Sequence, residues 1–240
     1  ALATKLKMIL ALTVSALGPV LLPRMTYCLN NGQYCEFKSY IAKSLHFVIL
    51  ASIPCVVYFA IMTPEVIDFL GGAEYQPATI CMQVITLAVV PLGIGNVVCS
   101  QVLTPLGKEI LTMYSTICGA VINFIANAIL IPKLGAVGAA VATVLAESIV
   151  AIIQICFAWN EMREAFAKIQ YFKLILINTV IGFFLFFARV ELLTVQPIVS
   201  LILTCFAFFA LYGCMLLLFK DSLVEEYALP IIRKVIRKQQ

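Results

Sequence analysis

Seven apolar stretches follow one another along the chain, each separated from the next by a short polar break. Each stretch has about 17 to 25 residues, the length that an α-helix needs to cross a hydrocarbon core of roughly 30 Å. Backbone polar groups in hydrocarbon need partners within their own segment, so these stretches are predicted to be helices. The predicted spans are residues 3–22, 45–62, 78–103, 112–131, 136–159, 172–188 and 197–219. The pattern predicts an all-α, polytopic membrane bundle of about seven transmembrane helices.

The amino-acid composition also indicates a protein that lies in lipid. Of the 240 residues, 63% are apolar and 12% are charged, with a mean hydropathy of +1.06. Soluble proteins average roughly 45–50% apolar residues and 25% charged residues. The net charge of +4 is therefore interpreted as a signal of membrane topology and not as evidence for a nucleic-acid partner. Seven of the nine cysteines fall inside predicted spans, where a thiol behaves as a small hydrophobe, and no metal site or cofactor is predicted.

Lysine and arginine positions predict the orientation, because these residues are enriched on cytoplasmic loops. Twelve of the sixteen basic residues lie in alternate loops and in the tail, and four lie in the remaining connections or near the outer end of the first span. The C-terminus is therefore predicted to be cytoplasmic, and an odd number of spans places residue 1 outside. We expect a multi-pass protein of a bacterial or archaeal cytoplasmic membrane, with further spans upstream of residue 1.

One face of the fifth span is polar or small. Its members are spaced by three or four residues: Ala136, Ala140, Thr143, Glu147, Ala151 and Gln154. A charge inside the bilayer costs at least roughly 2.5–3.5 kcal/mol unless it meets water or a partner. Glu147 is therefore expected to face a cavity. Two roles remain open for it, a structural carboxyl that is protonated or hydrogen-bonded, and a carboxylate that couples transport to H⁺ or Na⁺.

Two further groups of residues within the spans have more than one interpretation. Asn123 and Asn127 are one helical turn apart, which suits either the lining of a cavity or hydrogen bonds between helices. Pro91 removes a backbone donor and is followed by Gly93 and Gly95, which makes this segment a hinge candidate. The alternative is that proline and glycine are common in transmembrane helices in general.

The start of the fifth span predicts close packing. Residues 132–135 stop one helix and start the next, which predicts a tight outer hairpin. Small residues then recur at Gly135, Gly138, Ala139, Ala142 and Ala146. This spacing predicts a smooth ridge that lets another helix approach closely.

Four segments together resemble a known family. They are residues 20–24, 63–71, 103–108 and 123–147, in this order and at these separations. They resemble the C-terminal lobe of the polysaccharide and oligosaccharide (Wzx-type) flippases, within the multidrug/oligosaccharidyl-lipid/polysaccharide exporter superfamily. The resemblance covers roughly residues 1–160. The last two spans match only by their hydropathy.

The resemblance implies a domain plan and a function. Residues 1–160 would be the C-terminal lobe from helix 8 onward, residues 161–220 two additional helices, and residues 221–240 a basic amphipathic cytoplasmic tail. Two such lobes enclose a central cavity and alternate between inward-open and outward-open states, so the missing N-terminal lobe is an expected partner. The implied substrate is a polyprenyl-diphosphate-linked oligosaccharide for cell-surface polysaccharide assembly, with membrane lipids as the other partners.

The candidate residues for the substrate cavity combine the polar stripe with nearby cations. They are Arg24, Asn123, Asn127, Thr143, Glu147, Gln154, Lys5 and Lys7, and Lys133 is a further candidate cation. Arg24 matches a Pro-Arg position of the family, although an arginine at a cytoplasmic helix end also serves as a topology anchor.

Two other functions were weighed against the flippase. A drug or metabolite exporter of the same superfamily (MATE-type) shares the helix plan, but a cation exporter favours an acidic cavity and only Glu147 provides acid here. A membrane enzyme of polysaccharide assembly needs a long outer loop that carries Arg, His or Asp. The longest outer break, residues 64–77, is short and contains no basic residue. The chain is therefore expected not to be an enzyme.

Overall fold

The computed structural model describes residues 2–192 and 197–226, and the regular structure within these residues is helical. The predicted all-α membrane bundle is confirmed. The chain divides into two units, the first ending at Ile169 and the second beginning at Gln170. The first unit contains α1 (Leu2–Ser15), α2 (Leu17–Asn30), α3 (Tyr34–Gly71), α4 (Thr79–Thr86), α5 (Val89–Asn96), α6 (Glu109–Phe157) and α7 (Trp159–Lys168). The second contains α8 (Tyr171–Leu192) and α9 (Pro197–Leu218).

Six helical stretches in the described residues are long and apolar enough to cross a membrane: Thr4–Asn30, Tyr34–Gly71, Glu74–Leu103, Glu109–Phe157, Tyr171–Arg189 and Ile198–Leu218. The fourth is α6, whose 49 residues are interrupted by non-helical backbone at Gly135. A helix of that length would measure roughly 74 Å at 1.5 Å per residue, more than twice the hydrocarbon core. Its two arms, residues 109–134 and 136–157, correspond to the fourth and fifth predicted spans.

The two arms of α6 form an antiparallel hairpin. Gly135 makes the reversal with φ 56° and ψ −131°, a conformation that glycine adopts without a Cβ penalty. Beyond the reversal, a Cβ on Gly138 would collide with the backbone carbonyl of Leu130, and a Cβ on Gly119 would collide with the side chain of Val150. Gly138, Ala142 and Ala146 are buried, so the ridge of small residues lies against the first arm of the same hairpin.

The third predicted span is a broken rod and not one helix. It comprises a 3-10 turn (Ala73–Ala78), α4, α5 and a π-helical segment (Val97–Leu103). The break between α4 and α5 falls at Leu87 and Ala88, whose N–H groups bond the carbonyl oxygens of Val84 and Ile85 three residues back. Pro91 has no N–H to donate to the Leu87 carbonyl four residues earlier, which explains the position of this break.

The connection after the fifth span, which the sequence analysis treated as a loop, contains the amphipathic helix α7. Met162 and Ala165 are buried on the face of α7 that lies along α3. The Lys38 Nζ atom lies 2.8 Å from Glu164 Oε1, and Lys108 Nζ lies 3.9 Å from Glu161 Oε1. The segments that carry Lys38, Lys108 and helix α7 therefore meet at one end of the unit. A helix of this kind is missed when only long apolar runs are sought.

The Lys38–Glu164 contact predicts a pH dependence. The Lys38 ammonium donates a hydrogen bond to Glu164 and lowers the pKa of that carboxyl. Because the folded-state pKa is below the unfolded value of about 4.3, the stabilisation is complete above pH 4.3 and disappears as the pH falls through the folded pKa. We expect the wild type to melt at a higher temperature than the Lys38→Met variant at pH 7, and this difference to shrink as the pH falls through the lowered pKa of Glu164.

The measurement is the difference in thermal midpoint between wild type and variant across this pH range. Glu164→Gln removes the same contact from the other side and should give the same pH-dependent gap. A gap that keeps its size from pH 7 to pH 3 would contradict this account of the contact.

The second unit is a helical pair. Helix α8 contacts α9, and an apolar groove of ≈ 190 Å³ is lined by residues of both helices, among them Phe184, Leu185 and Phe208. Asn178 is buried in α8, and its Nδ2 donates to the Leu174 carbonyl at 2.8 Å. Asp221 caps the turn that follows α9, because its Oδ1 accepts from the Leu223 N–H at 3.1 Å. The predicted basic tail, 221–240, lies mostly outside the described residues, which end at residue 226.

Candidate functional site

The first unit contains a cleft of ≈ 350 Å³ between α1, α5, the π-helical segment and both arms of α6. Its wall is mostly apolar. The polar residues in the wall are Ser15, Asn96, Thr112, Thr116, Glu147 and Gln154. All of these elements belong to stretches that are long and apolar enough to cross a membrane. The cleft thus combines polar side chains with an otherwise apolar, membrane-spanning environment.

Glu147 lies in the wall of the cleft and is paired with a lysine of α1. The Lys7 Nζ atom is 3.6 Å from Glu147 Oε1, and the two side chains are only 16% and 28% exposed. This distance is longer than a hydrogen bond, so the attraction is mainly Coulombic. Glu147 lines the cleft and Lys7 does not, but the residual exposure leaves both groups accessible to a third charged partner.

Gln154 forms the most deeply buried polar contact of the cleft. It is 3% exposed, and its Nε2 donates to Ser115 Oγ at 3.1 Å across the two arms of α6. Ser115 Oγ in turn donates to the Thr112 carbonyl oxygen at 2.7 Å. Gln154 Oε1 and Thr112 Oγ1 are buried without a hydrogen-bond partner within the described part of the chain. An unsatisfied buried acceptor costs about 1–3 kcal/mol, so these two oxygens are a notable feature of the site.

The polar stripe of the fifth span therefore divides in two. Glu147, Ala151 and Gln154 line the cleft, whereas Thr143 does not, and its hydroxyl donates to the Ala139 carbonyl at 2.9 Å. Thr143 lies nearer the hairpin reversal, where Ala140 is 2% exposed, and its assignment to a substrate cavity stays a prediction.

Asn123 and Asn127 lie outside the cleft. The Asn127 Nδ2 atom donates to Asn123 Oδ1 at 2.7 Å, so the two amides are joined along one arm of α6. A spacing of four residues on one helix explains this bond, since such side chains are neighbours. The two interpretations, lining of a cavity and hydrogen bonds between helices, stay predictions.

Arg24 and Lys5 also lie outside the lining of the cleft. The Arg24 guanidinium is 5.5 Å from the centre of the Tyr40 ring, a cation–π contact between α2 and α3. Lys5 is exposed on α1, two residues before Lys7. Neither residue is among those that line this cleft, and their assignment to a substrate cavity stays a prediction.

Comparison with known proteins places this architecture in a family. Residues 4–218 match the family described as Lipid II flippase MurJ. The chain belongs to this flippase family. A curated relative, an uncharacterized membrane protein of Methanocaldococcus jannaschii, is 26% identical over 171 residues, which is 71% of this chain and 33% of the relative. The chain therefore spans about a third of the length of the relative it matches.

The MurJ match agrees with the predicted flippase and with a protein that crosses the membrane several times. It names lipid II, whereas the resemblance seen in the sequence pointed to Wzx-type oligosaccharide flippases. The family is one of transporters, and the division of the chain at residues 160 and 220 stays a prediction.

The hinge candidate of this MurJ-family chain lies beside the cleft. Pro91 and Gly95 line it, while Gly93 packs inward, where a Cβ would lie 2.7 Å from Val48 Cγ1 and 2.9 Å from Val14 Cγ1. The glycine at 93 thus permits a close approach of α1 and α3 to α5. Bending at this segment during transport stays a prediction.

The π-helical segment that follows α5 was not predicted from the sequence. The Thr104 N–H bonds the Cys99 carbonyl five residues back at 3.0 Å, and Cys99 lines the cleft. Segments with this wider bonding pattern occur often at functional sites in helices. The sequence carries no periodicity that marks it, because every residue of the segment also fits an ordinary apolar helix.

The sequence analysis also missed Ser15, Asn96, Thr112 and Ser115. A signal for one of them was present: folding the predicted hairpin about residue 135 brings Gln154 opposite Ser115 in the first arm. The others depend on how α1 and α5 pack against that hairpin, which no local pattern records.

Proposed function

We propose that this chain is part of a flippase that moves a polyprenyl-diphosphate-linked saccharide across the cytoplasmic membrane by alternating access. The observation that carries the proposal is that Glu147, which lines a cleft between membrane-spanning helices, is paired with the Lys7 ammonium. Membership of the MurJ lipid II flippase family supports the same substrate class. A saccharide and a diphosphate cannot enter hydrocarbon unaided, so such a carrier needs a polar chamber with a cation.

The ion pair allows a diphosphate to replace the Glu147 carboxylate as the partner of the Lys7 ammonium. The Lys7 ammonium neutralises Glu147, and a diphosphate that enters the cleft competes for the same ammonium. A phosphate oxygen that takes Lys7 leaves the carboxylate uncompensated inside a membrane-spanning helix, which favours its capture of a proton or Na⁺. Substrate entry is thereby linked to H⁺ or Na⁺ uptake at Glu147.

The orientation and the partners of the chain belong to the same proposal. The basic loops that meet around α7 are cytoplasmic, as is the C-terminus. In this proposal the chain is part of a longer protein, which supplies the remaining lobe. The curated relative supports this, because it is about three times the length of the matched region. Lipid II and lipid-linked oligosaccharides share a saccharide attached to a polyprenyl diphosphate, and either substrate fits a cleft that recognises this common headgroup.

The test uses the full-length protein in proteoliposomes loaded with lipid II or with a lipid-linked oligosaccharide in the inner leaflet. We expect the outward movement of at least one of them to exceed that in protein-free liposomes by at least about tenfold, the scale expected of a dedicated carrier. The Gly213→Ala variant in α9 should move lipid as well as the wild type does, because nothing lies within 4 Å of the new Cβ. Export of an organic cation, with neither lipid moved, would establish a drug exporter instead.

A further inference from the structure

The buried end of the cleft holds two hydrogen-bond acceptors that have no donor within the described residues. Gln154 Oε1 and Thr112 Oγ1 both belong to residues that line the cleft, and the Gln154 residue is only 3% exposed. Three other donors nearby are already used: Gln154 Nε2 on Ser115 Oγ, and the Ser115 and Thr116 hydroxyls on the Thr112 carbonyl at 2.7 and 2.9 Å. The amide oxygen of Gln154 can only accept, whereas the Thr112 hydroxyl can both donate and accept, and neither oxygen has a partner within the described residues.

Gly95 controls the approach to this oxygen from α5. A Cβ at position 95 would lie 3.2 Å from Gln154 Oε1 and 3.8 Å from the Ala151 Cα and Cβ atoms. The glycine therefore lets α5 approach this buried oxygen closely, with no side chain between them. An alanine at the same place would press a methyl group against the oxygen.

We propose that Gln154, Thr112 and Gly95 form a subsite for the hydroxyl or amide N–H donors of the substrate's saccharide. This inference rests on the proposed function. It divides the headgroup between two places in one cleft: the diphosphate meets Lys7, and a saccharide donor meets Gln154 Oε1 and Thr112 Oγ1. The Gln154 side chain is held across the α6 hairpin by the bond from its Nε2 to Ser115 Oγ, and Ser115 Oγ donates to the backbone carbonyl of Thr112 in the same arm.

The chemistry of the subsite favours a neutral donor over a cation or an anion. Its polar side-chain groups are one amide and one hydroxyl, and no carboxylate other than Glu147 lines the cleft among the described residues. A buried site built around hydrogen bonds rejects an analogue that lacks the donor far more strongly than an apolar pocket rejects a missing methylene. The subsite therefore selects saccharide-bearing lipids over the bare polyprenyl diphosphate. Water carries the same donor chemistry, and the experiment separates the two.

The test measures the affinity of the full-length protein in nanodiscs for two probes, a polyprenyl diphosphate and the same lipid carrying a saccharide. In the wild type we expect the saccharide-bearing lipid to bind at least about tenfold more tightly, the scale of one or two net hydrogen bonds. Gln154→Met keeps the length of the side chain and removes both polar atoms, and Gly95→Ala places a methyl group against the acceptor. Each variant should reduce the ratio of the two affinities towards one, because it weakens the saccharide-bearing lipid more than the bare lipid.

Gly213→Ala is the matched glycine control and should keep the wild-type ratio, since its Cβ meets nothing within 4 Å. Two variants on different helices protect the test against one that fails to fold, which a thermal midpoint identifies. If both variants weaken both probes equally, the acceptors hold water or support the fold, and the subsite is wrong. A wild-type ratio retained in both variants also overturns it. If the wild type binds neither probe, the proposed function fails, and the subsite fails with it.

Discussion

Replacing Lys7 with methionine is expected to lower the stability of the protein by roughly 1–3 kcal/mol and to reduce lipid flipping at least tenfold. Removing one partner of a fully buried ion pair costs about 3–5 kcal/mol, and the residual exposure of Lys7 and Glu147 reduces that figure. The stability loss arises because the Glu147 carboxylate remains within a membrane-spanning helix without this ammonium. The loss of flipping arises because the cleft no longer offers the Lys7 charge to a diphosphate.

A double-variant cycle separates these two effects. Glu147→Gln alone should cost less stability than Lys7→Met, because the long lysine stem lets its ammonium move towards a more polar region. The combined Lys7→Met and Glu147→Gln variant should recover most of the stability, since neither charge is left alone, and should still fail to flip lipid. Thermal midpoints in detergent and flipping in proteoliposomes give the two readouts.

Lys5→Met provides the matched control on the same helix. Lys5 is exposed and lies outside the lining of the cleft, so its replacement should leave stability and flipping close to the wild type. If Lys7→Met behaves like Lys5→Met in both measurements, the ion pair has no part in the fold or in transport. If the double variant restores flipping, Lys7 acts only as a structural partner of Glu147.

Replacing Gly138 with alanine is expected to destabilise the α6 hairpin. Overpacking typically costs roughly 1–3 kcal/mol, and we expect a value at the upper end of this range. The new Cβ would overlap the backbone carbonyl of Leu130 in the other arm. A backbone carbonyl cannot rotate away as a flexible side chain does, so the arms must separate. Their separation would also lengthen the Gln154–Ser115 hydrogen bond, which joins the same two arms at 3.1 Å.

Gly213→Ala makes the same chemical change where there is free space, and it should be neutral or stabilising by up to about 1 kcal/mol because alanine is the better helix former. Thermal unfolding of both variants in one detergent supplies the comparison. Equal midpoints for the two variants would show that the arms of α6 are not in close contact at Gly138.

Much of the fold was predictable from the sequence. The apolar runs give the spans, because the cost of leaving polar backbone unbonded in lipid is local to each segment. The reversal near residue 135 and the small residues after it were also readable, since glycine at this position permits a backbone that other residues resist. The phase of the fifth span placed Glu147 and Gln154 on one stripe, and both line the cleft.

Other features of the site were not predictable from any local pattern. Asn123 and Asn127 share a helical face with Thr116, but the structure pairs them with each other and leaves only Thr116 in the cleft. Arg24 is drawn to the Tyr40 ring across α2 and α3. A helical face tells which side chains are neighbours on one helix, and it says nothing of which other helix covers that face.

The sequence by itself therefore determined that this protein is a helical membrane bundle and that Glu147 needs a partner or a cavity, because burial in lipid is decided within each span. Only the tertiary structure decided that the partner is Lys7 and that Gln154 reaches Ser115, 39 positions away in the chain. The reason is that these contacts depend on the reversal at Gly135 and on the packing of α1 against the hairpin. The energies of such contacts belong to pairs of helices, and no single span encodes them.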